Sequence, residues 1–169
     1  FLGYSEVAYY DLASKITEVS KMPSNLINQT IYPRIALTKN MKIVSKIINY
    51  NFLLSMMIYV FLLIFIEPII EFVGGVDMLP AKPIVILLSL TAPFIGISYF
   101  LGNTMLVVNG HSKEFNLSVV YEAVIYLLLA VLTIFIEQVS VYFFISIVLI
   151  CTIFEVSYRY YYVKKYKII

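Results

Sequence analysis

A chain of 169 residues that is 62% hydrophobic and only 13% charged lies far from soluble domains, which run near 25% charged. With a mean hydropathy of +0.92, that composition excludes an ordinary soluble domain, and a net charge of +2 is too small to argue for nucleic acid. A single cysteine and a single histidine exclude an intrachain disulfide and leave no ligand spacing for a metal site.

The first element is the stretch Tyr9 to Ile35, YYDLASKITEVSKMPSNLINQTIYPRI. It is about as long as a membrane span, yet it is studded with charge and amide. On a wheel of 100° per residue, Asp11, Ser14, Lys15, Thr17, Glu18, Lys21, Asn25, Asn28 and Gln29 fall within an arc of roughly 160°. Leu12, Ala13, Ile16, Val19, Pro23, Leu26 and Ile27 take the other side, with Met22 intruding on the polar arc and Ser20, Ser24 and Thr30 straying from it. One face suits lipid or apolar neighbours, and the other suits water, a partner or a substrate. Asp11 and Lys15 are four apart and Glu18 lies three beyond Lys15, so these charges can neutralise one another along one face. Lys21 has no acid four residues before it and Asn25 four residues after it, which makes it the least compensated cation. It is therefore the first candidate for an anionic substrate, with Lys15 beside it. Asn25, Asn28 and Gln29 offer donors and acceptors suited to sugar hydroxyls, or to neighbouring helices. Pro23 removes a backbone donor near mid-span and predicts a kink or hinge there.

Four apolar runs follow, each long enough for the roughly 20 residues that a span requires: Ile47 to Ile66, Ile84 to Val108, Leu117 to Ile136 and Val139 to Val163. With flanking turns, the five predicted helices cover about 9–36, 47–73, 84–108, 115–136 and 139–163, an all-α membrane bundle. Glu67-Pro68 closes the first apolar run. Pro93, Gly96 and Gly102 interrupt the second, so Pro93 marks a second flexing point. The joints are Thr38–Lys46, Gly74–Lys82, Asn109–Glu114 and Glu137-Gln138, short enough to make successive helices antiparallel neighbours. A soluble helical protein would carry charged outer stripes, and these four runs are apolar all round.

Charge at the joints alternates without exception. Arg34, Lys39, Lys42 and Lys46 surround the first, Glu67, Glu71 and Asp77 outweigh Lys82 at the second, His111 and Lys113 mark the third, and Glu137 the fourth. Arg159, Lys164, Lys165 and Lys167 end the chain. Lysine and arginine in short loops favour the cytoplasm, which predicts cytoplasmic joints one and three and a cytoplasmic C-terminus. The tyrosines from Tyr158 to Tyr162 suit an interfacial belt.

Within the spans, Glu122 and Glu155 are lone acids. Each reads as a proton or cation site facing a cavity, or as a partner of Lys15 or Lys21. Arg159, four residues after Glu155, favours a local pair there. Asp11, Glu18 and Glu122 are thus the candidate coupling or charge-pairing acids. Cys151 reads as a buried small hydrophobe and His111 as a solvated loop residue. There is no phosphate loop, HExxH or serine elbow, so no catalytic residue, metal or cofactor is implied. Asn28-Gln29-Thr30 and Asn116-Leu117-Ser118 match a glycosylation pattern but fall in predicted helix. The chain begins at Phe1, and LGYSEVAYY is neither a signal peptide nor a basic leader, so the sequence is expected to continue upstream.

LGYSEVAYYDLASKI followed by IYPRIA resembles the "lG.eevG.Y..A.ki … lfPris" pattern of bacterial polysaccharide flippases, in the multidrug/oligosaccharidyl-lipid/polysaccharide exporter superfamily. PFIGISYFLGNTMLVVNGHSKEF is similar to the "P.f.glsn.lg.q.l...gk.k.f" stretch of the same family, in the expected order and spacing. The resemblance covers essentially the whole chain, although each motif alone is weakly specific. It implies the second lobe of a two-lobed transporter, lacking its first helix, in a multi-pass bacterial inner-membrane protein. The partners it implies are membrane lipid, the missing N-terminal half and undecaprenyl-pyrophosphate-linked oligosaccharide. The family moves such repeat units of O-antigen, lipopolysaccharide or capsule to the outer leaflet by alternating access. Asp11 and Glu18 depart from its cationic cavity and put the substrate's charge in doubt. An exporter of small cationic drugs and a non-transporting assembly protein are the alternatives.

Overall fold

The computed structural model describes residues 3–135 and 140–169. The chain is an all-α membrane bundle, with 91% of the described residues helical. Helix α1 spans Tyr4–Thr38, α2 Met41–Ile64, α3 Ile66–Gly74, α4 Lys82–Ser89, α5 Thr91–Tyr99, α6 Ser112–Leu132 and α7 Val141–Lys165. A 3₁₀ turn at Val76–Ala81 precedes α4, and α5 runs on into a π-helical segment at Phe100–Val107. Four stretches are long and apolar enough to cross a membrane: Met41–Ile64, Val76–Val107, Ser112–Leu132 and Val141–Lys165. The opening helix is not among them. Its 35 residues reach about 52 Å at 1.5 Å per residue, so charge rather than length sets it apart.

Several predicted boundaries move. The joint expected over Thr38–Lys46 shrinks to Lys39-Asn40, with Lys39 left-handed at φ 49° and the Asn40 side chain accepting from the Ile43 N–H at 3.4 Å. The continuous helix expected over 47–73 breaks at Phe65. Pro68 explains this, because it cannot donate to the Ile64 carbonyl but is tolerated in the first turn of a new helix. Gly75 (φ 84°) and Gly110 (φ 86°) occupy a backbone region closed to most side chains and turn the second and third joints. The fourth joint, Glu137-Gln138, with the predicted helix ends at Ile136 and Val139, lies outside the described residues.

The rod formed by α4, α5 and the π segment is central. Helix α1 packs along it, α2 against α5, α7 against α5 from the other side, and α6 on α7. Asn109 Nδ2 reaches Met41 Sδ at 3.6 Å, His111 stacks on Tyr166 at 3.7 Å, and the Tyr166 hydroxyl donates to Glu114 at 2.7 Å. Joints one and three and the C-terminus therefore share one end, as antiparallel neighbours require. The opposite end carries the Lys82–Glu67 pair at 2.6 Å, whose hydrogen-bonded ammonium holds the Glu67 carboxyl below the ordinary carboxylate range.

Two apolar clusters fill the ends of the bundle. One joins Leu12, Ile66, Ile70, Val85 and Val141, and the other joins Ile35, Val44, Phe100, Met105 and Val163. The layer between them is polar. Thr17 Oγ1 meets Ser89 Oγ at 3.1 Å, Ser24 Oγ meets Ser55 Oγ at 2.9 Å, and Thr104 donates to Asn28 Oδ1 at 2.6 Å. Lipid gives no hydrophobic reason for helices to associate, so small and hydrogen-bonding residues form the seams. Ala13, Thr17, Ser20, Ser24 and Asn28, all buried, make such a seam on α1. A Cβ on Gly96 would stand 2.8 Å from Asn51 Nδ2 and 2.9 Å from Ser24 Oγ, so that glycine sets how closely α1, α2 and α5 approach.

The α5–α6–α7 side is held by Arg159. Its side chain is only 4% exposed and pairs through Nη2 with Glu155 Oε1 at 2.5 Å. Nε donates to Ser118 Oγ at 2.9 Å, while Nη1 donates to the Ser98 carbonyl at 3.0 Å and Ser98 Oγ at 2.9 Å. Ser98 in turn donates to Glu155 Oε2 at 2.6 Å, and the guanidinium lies 4.7 Å from the centre of the Phe115 ring. A Cβ on Gly102 would meet Phe115 at 2.8 Å and Arg159 Nη1 at 2.9 Å. Gly102→Ala is accordingly expected to cost about 1–3 kcal/mol by overpacking, read as a lower unfolding midpoint in detergent. An unchanged midpoint would mean that the ring and guanidinium move aside freely.

Candidate functional site

Helix α1 presents two different long faces. The seam that packs on the rod is made of small and polar residues, including Ser20 and Ser24, which stray from the polar arc. The arc itself mostly stays outside the bundle: Asp11, Lys15, Glu18 and Gln29 are exposed, while Ser14, Lys21 and Asn25 are half-buried. Thr17 and Asn28, at its edge, are buried and hydrogen-bonded to Ser89 and Thr104.

Where this arc meets the π segment, an open cleft of about 380 Å³ is lined by Asn25, Asn28, Gln29, Tyr32 and Asn103. Helical spacing stacks the first four on α1, since Asn25, Asn28 (or Gln29) and Tyr32 follow at intervals of three and four. Asn103 comes from the π segment, a local widening that is frequent at functional sites. The cleft is neutral and amide-rich. Four carboxamides and a phenol supply both donors and acceptors, and Asn28 keeps its NH₂ free because Thr104 occupies only its oxygen. Lys21 sits one helical turn before Asn25 on the same face, and no acid pairs with it among the described residues.

No family model, curated protein or solved structure matches this chain.

The three amides singled out by the sequence, Asn25, Asn28 and Gln29, thus come together. Lys15 does not join them. It bonds Asp11 at 2.7 Å, with both side chains well exposed, and borders a separate apolar groove of about 410 Å³ that also includes Val19, Pro23, Ile58, Phe61 and Ile69. Glu18 is exposed and makes no ion pair within 4 Å among the described residues. Glu122 lies away from α1, on α6 where it packs on α7, with its backbone carbonyl 4.0 Å from the Cys151 thiol; among the described residues it pairs with neither Lys15 nor Lys21. Helix α1 runs through Pro23 unbroken, whereas the rod is interrupted at Leu90, just before Pro93. Pro93 has no N–H for the Ser89 carbonyl, and Ser89 and Thr91 turn their hydroxyls to Thr17 and to the Leu88 carbonyl.

Tyr32 and Asn103 are the cleft residues that sequence reasoning missed. Tyr32 carried a signal, standing four residues after Asn28 on the polar arc. Asn103 was a lone carboxamide in an apolar run, a residue type that costs free energy in lipid unless it finds a partner or a cavity.

Proposed function

We propose that this chain is part of the second lobe of a bacterial lipid-linked oligosaccharide flippase, and that the cleft on α1 receives the sugar hydroxyls of its substrate. The observation that carries this reading is the neutral cleft of four carboxamides and a tyrosine, one turn from a lysine that has no ion-pair partner among the described residues. Hydroxyl groups need paired donors and acceptors without net charge, and a pyrophosphate needs a cation. Lys21 is assigned to the pyrophosphate, Asn25, Asn28, Gln29, Tyr32 and Asn103 to the glycan. The basic end, with joints one and three and the C-terminus, is placed in the cytoplasm of a bacterial inner membrane, and the exposed polar arc of α1 faces the other lobe across the transport path. Pro93, beside the interruption at Leu90, is the proposed flexing point of the rod, with Pro23 opposite it on α1.

The resemblance of LGYSEVAYYDLASKI, IYPRIA and PFIGISYFLGNTMLVV to polysaccharide flippases supports the same reading. A cationic-drug exporter would place carboxylates in the cleft, and this cleft has none. In the full-length protein, Asn25→Leu combined with Gln29→Leu should lower surface polysaccharide several-fold while membrane abundance stays normal. Undiminished polysaccharide in that variant would remove the cleft from the transport path.

A further inference from the structure

A second polar site lies on the far side of the rod, and its charges do not balance. Arg159 commits Nε to Ser118, Nη1 to Ser98 and Nη2 to Glu155. Both oxygens of Glu155 are engaged, one by Arg159 and one by the Ser98 hydroxyl. The single guanidinium is therefore matched by a single carboxylate. Glu122 brings another. It lies one turn from Ser118 on α6, and because α6 and α7 are antiparallel with Ser118 against Arg159, one turn back along α7 is Glu155. The Cys151 thiol beside the Glu122 carbonyl, at 4.0 Å, fixes the same register. That register sets Glu122 facing Glu155 across the α6–α7 contact.

Two carboxylates cannot hydrogen-bond each other, because both are acceptors only. One proton between two facing carboxyls makes such a bond and removes the like-charge repulsion. Burial in a membrane-spanning pair makes the surplus anion costly as well. The groups facing the pair are Cys151 and Arg159 from α7 and Tyr99 from α5, so Arg159 is the only cation there among the described residues.

We propose that Glu122 and Glu155 hold one shared proton, making the α6–α7 contact a proton-binding site separate from the cleft on α1. With the proton in place the network is neutral, and Glu122 donates to Glu155. Its release to water leaves two carboxylates against one guanidinium and weakens the hold of α6 on α7. Ionisable groups at this depth are the elements on which a proton gradient can act.

The test is infrared difference spectroscopy on the full-length protein in lipid vesicles, titrated from mildly acidic to alkaline pH. The wild type should show a protonated-carboxyl C=O band at neutral pH that disappears in alkali. Glu122→Gln should abolish that titrating band, because Glu155 and Arg159 then balance without a proton. Glu155→Gln should abolish it too, because Glu122 then ionises beside Arg159. A variant whose unfolding midpoint collapses is replaced by Glu122→Asp, which should keep the band and shift its titration. The absence of a protonated carboxyl in the wild type overturns the proposal. So does a band that survives Glu122→Gln in a folded variant, or one removed by sodium at constant pH. None of these readouts involves glycolipid. A titrating pair in a protein that moves no oligosaccharide would overturn the proposed function and leave the proton site standing.

Discussion

Arg159→Ala is expected to destabilise the folded protein by about 3–5 kcal/mol, the range found when one partner of a buried ion pair is removed. The Arg159 side chain is 4% exposed and Glu155 12%, so neither vacancy can be filled by bulk water. The variant strands Glu155 and strips Ser98 and Ser118 of their cationic donor, leaving α5, α6 and α7 with less to join them. Arg159→Lys should recover only part of the loss, since a point charge cannot serve Ser118, Ser98 and Glu155 from one planar fork. The contrast is Lys15→Ala. Lys15 and Asp11 also form a short contact, at 2.7 Å, but their side chains are 65% and 63% exposed, and such pairs contribute about 0–1 kcal/mol. Unfolding of the purified proteins in the same detergent compares the two. If Arg159→Ala were as mild as Lys15→Ala, something other than the guanidinium would be holding the three helices.

Much of this architecture was legible because lipid leaves the backbone few choices. An apolar run of span length must be helical, and a joint of a few residues must return it antiparallel; Met41–Ile64 and Val141–Lys165 follow directly. The polar arc of α1 was legible for the same reason, since one regular helix fixes the relative bearing of Asn25, Asn28 and Gln29. What the wheel could not give is which edge of the arc a neighbour would cover. Ser20 and Ser24 looked like strays from a polar face, yet in lipid small hydroxyl residues are what helices pack with, and they lie in the seam. Asn103 was hidden by geometry of another kind: it sits in a π segment, where the 100° bearing no longer holds. The Glu155–Arg159 pair is visible four residues apart, but its extension to Ser98 and Ser118, and the approach of Glu122, depend on how α5 and α6 register against α7.

Lys21→Ala should nearly abolish surface polysaccharide in the full-length protein while leaving its membrane abundance normal. Lys21 is half-buried, has no ion-pair partner among the described residues, and stands one turn before Asn25, which lines the amide cleft. A hydrogen bond to a charged group contributes about 1.5–3 kcal/mol, which corresponds to roughly ten- to a hundredfold in affinity for a phosphate-bearing substrate. Transport through a site occupied below its dissociation constant falls by the same factor. Lys21→Arg should keep much of the activity, because a guanidinium binds phosphate at least as well as an ammonium does. Lys15→Ala should be mild, because Asp11 already neutralises Lys15 and its ammonium borders the apolar groove rather than the cleft. The ordering of these three variants separates the possibilities. Wild-type polysaccharide in Lys21→Ala would sink the role given to that lysine, while equal defects in Lys15→Ala and Lys21→Ala would move the anion from Lys21 to the whole charged stripe of α1.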